Sequence, residues 1–276
     1  MHLDRACGVL HSDVESRRFQ TAAAHYAVGR PPYPPDLIEE VARFCGLTRA
    51  HRLLDLGTGP GLLAIAFAPF VGSVLAVDPE PAMLAVATDA ARSTGVAVEV
   101  REGSSETLGP GWGTFQAVTM GRSFHWMDRA ETLRRLDLLV APEGALVFFY
   151  DEIADVPGNE AVRAWSSIVE RYSADDTVRM QRRSPHWQGH DAVLAASPFS
   201  KLDHLVQVHR SDLTVETLIH RALSMSATSA ARLGPRAEAM VGEIREALAP
   251  FDARGAMTEH IEWTATIARR PPASSG

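Results

Sequence analysis

The chain has 276 residues and a formal net charge of −7, with 46% hydrophobic and 22% charged residues. This composition is ordinary for a globular protein, and the negative charge argues against non-specific nucleic-acid binding, which requires a basic surface. No apolar stretch reaches membrane-spanning length and no signal-peptide run is present, so we expect a cytoplasmic protein without a membrane partner. Cys7 and Cys45 give neither a disulfide framework nor a metal-ligand spacing, so no metal site is predicted.

Residues 1–35 are interpreted as an N-terminal arm followed by a lid. The segment from about residue 19 can begin as a short helix, which four closely spaced prolines then stop and turn into an extended course. Asp36 is predicted to cap the next helix, residues 37–45. A rigid, aromatic segment at this point of the chain is well placed to fold over the mouth of a ligand site.

A glycine-rich turn follows the first predicted strand, residues 52–56. Gly57, Gly59 and Gly61 occupy alternate positions, and a helix is predicted from Gly61 to Pro69. Such a turn leaves backbone N–H groups without hydrogen-bond partners at the start of the helix. Because glycine has no Cβ atom, a ligand can approach the backbone closely there. The spacing differs from the Gly-x-Gly-x-x-Gly of dinucleotide sites, and the chain has no Gly-Lys-Ser/Thr of a phosphate-binding loop.

The second predicted strand, residues 73–77, ends in an acid. Asp78 lies 17 residues after Gly61, where a carboxylate can accept hydrogen bonds from two ribose hydroxyls. No basic residue stands beside Asp78 to pair with a 2′-phosphate.

These two motifs, Asp-Leu-Gly-Thr-Gly-Pro-Gly and Val-Asp-Pro-Glu-Pro-Ala-Met-Leu, resemble the first two motifs of class I S-adenosylmethionine-dependent methyltransferases. The resemblance implies that the three glycines pass under the methionyl end of S-adenosylmethionine, that Asp78 holds its ribose, and that Pro79 and Met83 flank its adenine. It also implies an α/β fold: a doubly wound, seven-stranded, mostly parallel sheet of Rossmann-like type with a helical lid, whose cofactor-binding core is residues 36–152.

The segment before this core resembles the Phe-x-x-x-Ala-x-x-Tyr-x-x-x-Arg-Pro-x-Tyr-Pro pattern of small-molecule methyltransferases related to trans-aconitate methyltransferase. This implies that Tyr26 lies near the transferred methyl group, where it would contact the cofactor and take part in catalysis. It also implies that Arg30 lies near the cofactor carboxylate. Tyr33 is interpreted as a substrate contact. For both tyrosines the alternative is packing of a lid onto the core.

The third predicted strand, residues 97–101, leads into a segment that resembles the third motif of the family. In that motif a small polar residue reaches the adenine edge and an acid lies beside it. We therefore predict cofactor contacts from Ser104, Ser105 and Glu106, with a capped turn as the alternative reading.

The fourth predicted strand, residues 115–120, leads to a segment that resembles the His-Trp-x-Asp element of the family, which faces the substrate. Phe124 and Trp126 are predicted substrate contacts. His125 could act as a general base, since its unperturbed pKa is near 6.5, or could form a hydrogen-bonded wall. Asp128 is predicted to cap a helix over residues 129–140.

A turn at residues 142–144 and a fifth strand at residues 145–150 are predicted next. Asp151 and Glu152 close this strand and could bind a cationic amine or take its proton, or could form a solvated strand end. The candidate catalytic residues are therefore His125, Asp151 and Tyr26.

Residues 153–200 are interpreted as a substrate-covering insert, with a helix over residues 159–172 and an irregular remainder that includes the predicted substrate contact Trp187. Residues 201–270 are interpreted as the C-terminal part of the core. Their predicted elements are a strand at residues 202–212, helices at 214–228 and 236–249, and a last strand at 260–269, which the family would place antiparallel. Residues 271–276 are predicted to be a disordered tail.

The sequence thus predicts methyl transfer from S-adenosylmethionine to a nitrogen, oxygen or carboxylate of a small molecule, with a secondary metabolite as one candidate. Catalysis would rest mainly on proximity and orientation. The glycine spacing disfavours a nicotinamide-dependent oxidoreductase. A methyltransferase acting on RNA or protein and a cofactor-binding module without catalysis are the alternatives. The expected partner is a small-molecule substrate, not nucleic acid or a membrane, and the chain could form a homo-oligomer.

Overall fold

The computed structural model describes residues 23–253 and 257–272. Its centre is one seven-stranded sheet in the order β3-β2-β1-β4-β5-β7-β6. The strands, in chain order, are β1 (Arg52–Leu56), β2 (Ser73–Asp78), β3 (Val98–Glu102), β4 (Phe115–Gly121), β5 (Val140–Ile153), β6 (Lys201–Leu213) and β7 (Met257–Arg269).

Helices cover the sheet and its carboxyl edge. They are α1 (Ala23–Gly29), α2 (Pro35–Phe44), α3 (Leu62–Phe67), α4 (Pro81–Thr94), α5 (Arg129–Asp137), α6 (Glu160–Tyr172), α7 (Thr177–Arg182), α8 (His190–Ala195), α9 (Val215–Ser224), α10 (Ala230–Leu233) and α11 (Arg236–Asp252). We call α1 the lid helix.

The sheet is parallel from β3 through β5, and β7 runs antiparallel between β5 and β6. The predicted α/β fold is confirmed, including the antiparallel last strand. Since the chain turns to β2 on one side of β1 and to β4 on the other, the carboxyl ends of these strands form the crevice where such sheets bind ligands.

Each face of the sheet buries its own apolar core, because strands buried on both faces carry near-continuous apolar runs. On one face α2 and α3 pack against Phe149 and Trp263. On the other face α5 packs against Phe115 and Phe148. A third core joins α6, α9 and α11, where the Trp165 indole donates to the carbonyl of Leu218 at 2.9 Å.

Several predicted boundaries are wrong. Helix α5 ends at Asp137 rather than at residue 140, because Val140 already pairs with Phe115 across a register shift, so the predicted turn at residues 142–144 lies within β5. Asp36 is not a cap: α2 begins at Pro35, and Asp36 occupies its first turn. The stretch predicted as irregular after α6 contains α7 and α8.

The C-terminal half also differs from its prediction. Helix α9 is shorter than predicted and is followed by the unpredicted α10, while β7 begins at Met257 instead of residue 260. The predicted arm before residue 23 and the tail from residue 273 lie outside the described residues, so both stay predictions. Within the described residues, every helix is too short or too polar to cross a membrane.

Candidate active site

The three glycines after β1 all adopt positive φ angles of 53° to 85°, which glycine tolerates best. Their surroundings differ. A Cβ on Gly57 would lie 2.5 Å from the Cβ of Ser123, and one on Gly61 would lie 3.1 Å from the Cβ of Ala87. A Cβ on Gly59 would meet no heavy atom within 4 Å. Gly57 and Gly61 therefore allow close packing, and Gly59 is the glycine that faces open space.

A buried carboxylate holds this loop in place. Asp55 accepts hydrogen bonds from the Thr58 hydroxyl at 2.5 Å, the Ala64 N–H at 3.1 Å and the Thr119 hydroxyl at 2.8 Å. Burial raises the pKa of Asp55 to about 6, although the three hydrogen bonds oppose that shift. Asp55 thus ties β1, the glycine loop, the start of α3 and β4 together. The sequence motif includes this acid, but its partner Thr119 lies 64 residues away.

Asp78 occupies the crevice as predicted, at the end of β2. One carboxylate oxygen accepts from the Gly59 N–H at 2.8 Å and the other from the Glu80 N–H at 2.9 Å. Each oxygen keeps a second lone pair for a further donor, which suits a pair of ribose hydroxyls. Next to it, Pro79 is exposed, and Met83 on α4 is buried.

The third predicted cofactor segment folds as a capped turn. Ser104 accepts from the Glu106 N–H at 3.2 Å, and the Thr107 hydroxyl accepts from the Ser104 N–H at 2.9 Å. Ser105 is buried. The structure therefore shows the capped turn that was the alternative interpretation of this segment. Adenine contact by Ser104, Ser105 and Glu106 stays a prediction.

The lid helix packs tightly against α9. The His25 and His220 rings meet with their Nδ1 atoms 2.8 Å apart, and the Arg221 Nε donates to the carbonyl of Gly29 at 2.9 Å. A Cβ on Gly29 would collide with the backbone of Arg221. The Arg221 guanidinium also binds Glu259 through two hydrogen bonds of 2.5 and 2.8 Å. These contacts fix the lid helix over the sheet.

Two predicted ligand contacts lie at the C-terminal end of the lid helix. The Arg30 guanidinium carbon is 5.3 Å from the centre of the Tyr26 ring, and the Arg30 Nε donates to the Ser224 hydroxyl at 3.1 Å. Both side chains are half-buried. The structure brings the two side chains together, while their contacts with a cofactor stay predictions.

Tyr33 lies deeper than a substrate contact requires. It is only 8% exposed, and its ring centre is 5.4 Å from that of Phe149 and 5.2 Å from that of Trp263. This placement favours the alternative of core packing for its ring.

Arg122 was missed by the sequence reasoning. It is the first residue after β4, has a φ of 57°, and donates from Nε to Asp151 at 2.5 Å. Its guanidinium carbon lies 5.1 Å from the Tyr33 ring centre and 5.3 Å from that of Trp263. Burial would raise the pKa of Asp151, but the Arg122 charge and hydrogen bond outweigh it and hold that pKa below its ordinary value. An ion-paired Asp151 is a weak base, which argues against its predicted catalytic role.

The opposite side of the site is built by α8 and the loop before it. The Phe124 ring is 2% exposed and packs on Phe148 and His190 with ring-centre distances of 4.8 and 5.2 Å, which favours a core role for it. The Arg129 guanidinium carbon lies 3.9 Å from the Trp187 ring centre. Residues of the predicted insert therefore pack against Phe124 and Arg129, while their role as a substrate cover stays a prediction.

His125 stands between these two sides, with its ring centre 5.0 Å from that of Trp126. Burial, followed by the charges of Arg182 and other cationic neighbours, lowers the pKa of His125 to about 3. The imidazole is consequently neutral at physiological pH, but such a low pKa gives little driving force for accepting a proton. This environment favours the second interpretation of His125, in which its ring forms hydrogen bonds as part of the wall of the site.

An open glycine cradle beside a partly free carboxylate, at the switch point of a doubly wound sheet, defines a nucleotide-type cofactor site. A family model described as a methyltransferase domain matches residues 53–144. An uncharacterized methyltransferase of Mycobacterium tuberculosis is 32% identical over 211 residues, which are 76% of this chain and 77% of that protein. The chain therefore belongs to the methyltransferase family, as its motifs predicted, and the family's S-adenosylmethionine dependence agrees with the predicted cofactor.

Two further similarities are one to a relative in sequence and one to a solved structure in fold. A ubiquinone biosynthesis O-methyltransferase of Methylocella silvestris is 34% identical over 127 residues, 42% of this chain and 50% of that protein. The crystal structure of a methyltransferase from Thiobacillus denitrificans in complex with S-adenosyl-L-homocysteine has a TM-score of 0.56 at 17% identity, covering 92% of this chain and 98% of that one. This second likeness concerns the fold.

The residues present fit S-adenosylmethionine. Gly59 presents open backbone, and both oxygens of Asp78 have a lone pair to spare. Replacing Gly59 by alanine is expected to weaken S-adenosylhomocysteine binding at least about tenfold, because the added methyl group occupies the cradle. Isothermal titration calorimetry measures this.

Gly46 offers a matched control for that change. It has a φ of 60° and also has no heavy atom within 4 Å of a built Cβ, but it lies after α2. Alanine at either position costs about 1 kcal/mol of backbone strain. Only the Gly59 variant should lose affinity, and an equal loss in the Gly46 variant would show that strain, not the cradle, is responsible.

His125 should show no titration in the usual range. Since its pKa is lowered to about 3, its NMR ring signals are expected to stay constant between pH 8 and pH 5, whereas an ordinary histidine titrates near 6.5. The signals are assigned by their loss in the His125→Gln variant. An inflection between pH 6 and 7 would contradict the buried, cation-flanked environment.

Proposed function

We propose that the protein transfers the methyl group of S-adenosylmethionine to a nitrogen, oxygen or carboxylate of a small-molecule acceptor. The observation that carries this proposal is the open backbone of Gly59 beside the Asp78 carboxylate, in a chain that belongs to the methyltransferase family. The lid helix, which Arg221 holds at Gly29, and helices α7 and α8 are the elements that we expect to border the acceptor, and such a border suits a small molecule better than a polymer. The net charge of −7 also disfavours RNA as the acceptor.

The bound cofactor supplies an electrophilic methyl group, so the protein needs to orient the acceptor and exclude water. Gly59 and Asp78 hold the cofactor at the β1–β2 end of the crevice. Tyr26, Trp126 and Trp187 are the aromatic residues that we expect to contact the acceptor. His125 remains neutral there and can accept a hydrogen bond that orients the acceptor.

Neither His125 nor Asp151 is suited to act as a strong general base. The pKa of His125 is lowered to about 3, and Asp151 is ion-paired with Arg122. We therefore expect an acceptor that arrives with a free lone pair, as a neutral amine or as an oxyanion. Of the three predicted catalytic residues, His125 and Asp151 are better suited to orienting the acceptor and to ion pairing, and the catalytic role of Tyr26 stays a prediction.

A methyl-label experiment tests the proposal. The protein is incubated with methyl-labelled S-adenosylmethionine and separate small-molecule, RNA and protein fractions of a bacterial extract. Label in the small-molecule fraction is the expected result. Label in RNA or protein would support the polymer-modifying alternative, and no label anywhere despite S-adenosylhomocysteine binding would support a binding module without catalysis. The expected cytoplasmic location and a homo-oligomer remain predictions.

A further inference from the structure

We propose that the acceptor carries a carboxylate and that Arg122 binds it through Nη1 and Nη2. This inference rests on the proposed function and names the chemical class of the acceptor. It concerns a residue to which neither the family motifs nor the sequence assigned a role.

The guanidinium of Arg122 is buried with most of its donors unused. Its side chain is 11% exposed, and only Nε, bound to Asp151, has a hydrogen-bond partner. Within the described part of the chain, Nη1 and Nη2 are buried and have none. A buried donor on a charged group costs free energy when it is left unpaired, so a pair of such nitrogens marks a place for an acceptor.

Arg221 shows that this fold can satisfy a buried arginine completely. Its two Nη atoms bind the two carboxylate oxygens of Glu259, and its Nε binds the carbonyl of Gly29. At Arg122 only Nε is bound, to Asp151. A carboxylate bound by Nη1 and Nη2, in the way that Arg221 binds Glu259, would complete the arrangement, because the planar pair of Nη atoms matches two carboxylate oxygens.

The position of Arg122 favours the acceptor over the ribose end of the cofactor. Arg122 follows β4, two strands from β2, where Asp78 ends, and its partner Asp151 lies on β5, one strand further. With strands about 4.8 Å apart, Arg122 is about 10 Å along the sheet from the Asp78 strand. The Tyr33 and Trp263 rings beside the guanidinium keep its plane fixed.

The charge around this end of the crevice also favours an anion. Arg30 and Arg122 act electrostatically on one another, and Arg30, Arg129 and Arg182 all act on His125. Asp151 is ion-paired with Arg122. The strongest charges that act on His125 are therefore cationic, within a chain whose net charge is −7, and such surroundings favour an anionic acceptor.

Matched acid and amide pairs test the proposal. The protein saturated with S-adenosylhomocysteine is titrated with benzoate and benzamide, phenylacetate and phenylacetamide, and cinnamate and cinnamamide, by calorimetry at pH 7.5. Aromatic probes are chosen because the aromatic rings of Tyr33 and Trp263 lie beside the Arg122 guanidinium. At least one carboxylate is expected to bind about tenfold or more tightly than its amide.

The variant is designed so that it can fold. Arg122→Gln alone leaves the Asp151 charge buried, so the double variant Arg122→Gln with Asp151→Asn is also made. Both should keep S-adenosylhomocysteine affinity and lose the preference for the acid. The control is Arg92→Gln, which removes an exposed arginine paired with Asp89 and should keep that preference.

Three outcomes overturn the proposal. Absence of any acid preference, or its persistence in the double variant, would show that Arg122 serves packing. Loss of cofactor affinity in the double variant would assign the guanidinium to the cofactor carboxylate instead. Failure of the unmodified protein to bind S-adenosylhomocysteine would refute the proposed function itself, which is a separate result.

Discussion

Replacing Glu259 by alanine is expected to lower the free energy of unfolding by about 3–5 kcal/mol, because it leaves the Arg221 charge buried without its partner. The two side chains are only 2% and 8% exposed, and their hydrogen bonds of 2.5 and 2.8 Å are bidentate. Urea denaturation followed by circular dichroism measures the change. Because Arg221 also holds Gly29, the variant should expose the lid helix to proteolysis.

The pair between Arg245 and Glu216 provides a control of the same geometry at the surface. It is also bidentate, but both side chains are more than half exposed. Glu216→Ala is expected to change the unfolding free energy by only about 0–1 kcal/mol. If the two alanine variants were equally stable, burial would not be what makes the Glu259 pair important.

Replacing Asp78 by alanine is expected to weaken S-adenosylhomocysteine binding about 100-fold or more. Two hydrogen bonds from ribose hydroxyls to a carboxylate are lost, each worth about 1.5–3 kcal/mol. The Gly59 N–H also loses its acceptor, so the open part of the cradle becomes less ordered. Calorimetric titration gives the dissociation constants.

Asp89→Ala is the matched control for this change. Asp89 lies on α4, the helix that follows Asp78, but its side chain is exposed and pairs with Arg92. Its removal should leave cofactor affinity unchanged. A loss of less than about fivefold in a folded Asp78→Ala variant would mean that the ribose is held elsewhere.

The parts of the fold that were predicted correctly depend on local sequence. The apolar run of β1, the glycines after it and the acid that ends β2 define a strand, turn and helix by themselves. Gly59 and Asp78 consequently lie where the sequence predicted, in the turn after β1 and at the end of β2. The antiparallel β7 was foreseen only through the family resemblance.

The features that were missed depend on contacts between distant residues. Arg122 and Asp151 are 29 residues apart, and His25 and His220 are 195 apart. No local pattern indicates that these pairs meet, or that burial will lower the pKa of His125. Helices α7 and α8 were missed because each has only six residues, too few to show helical periodicity.

The close approach of Gly29 to the backbone of α9 has a consequence for how small molecules enter and leave. There is no room for even a methyl group between them, and Arg221 also donates to the carbonyl of Gly29, so we expect the lid helix to stay attached to α9. Small molecules are therefore expected to enter and leave the crevice on the side of the short helices α7 and α8. Changes in those helices should alter product release before they alter cofactor affinity.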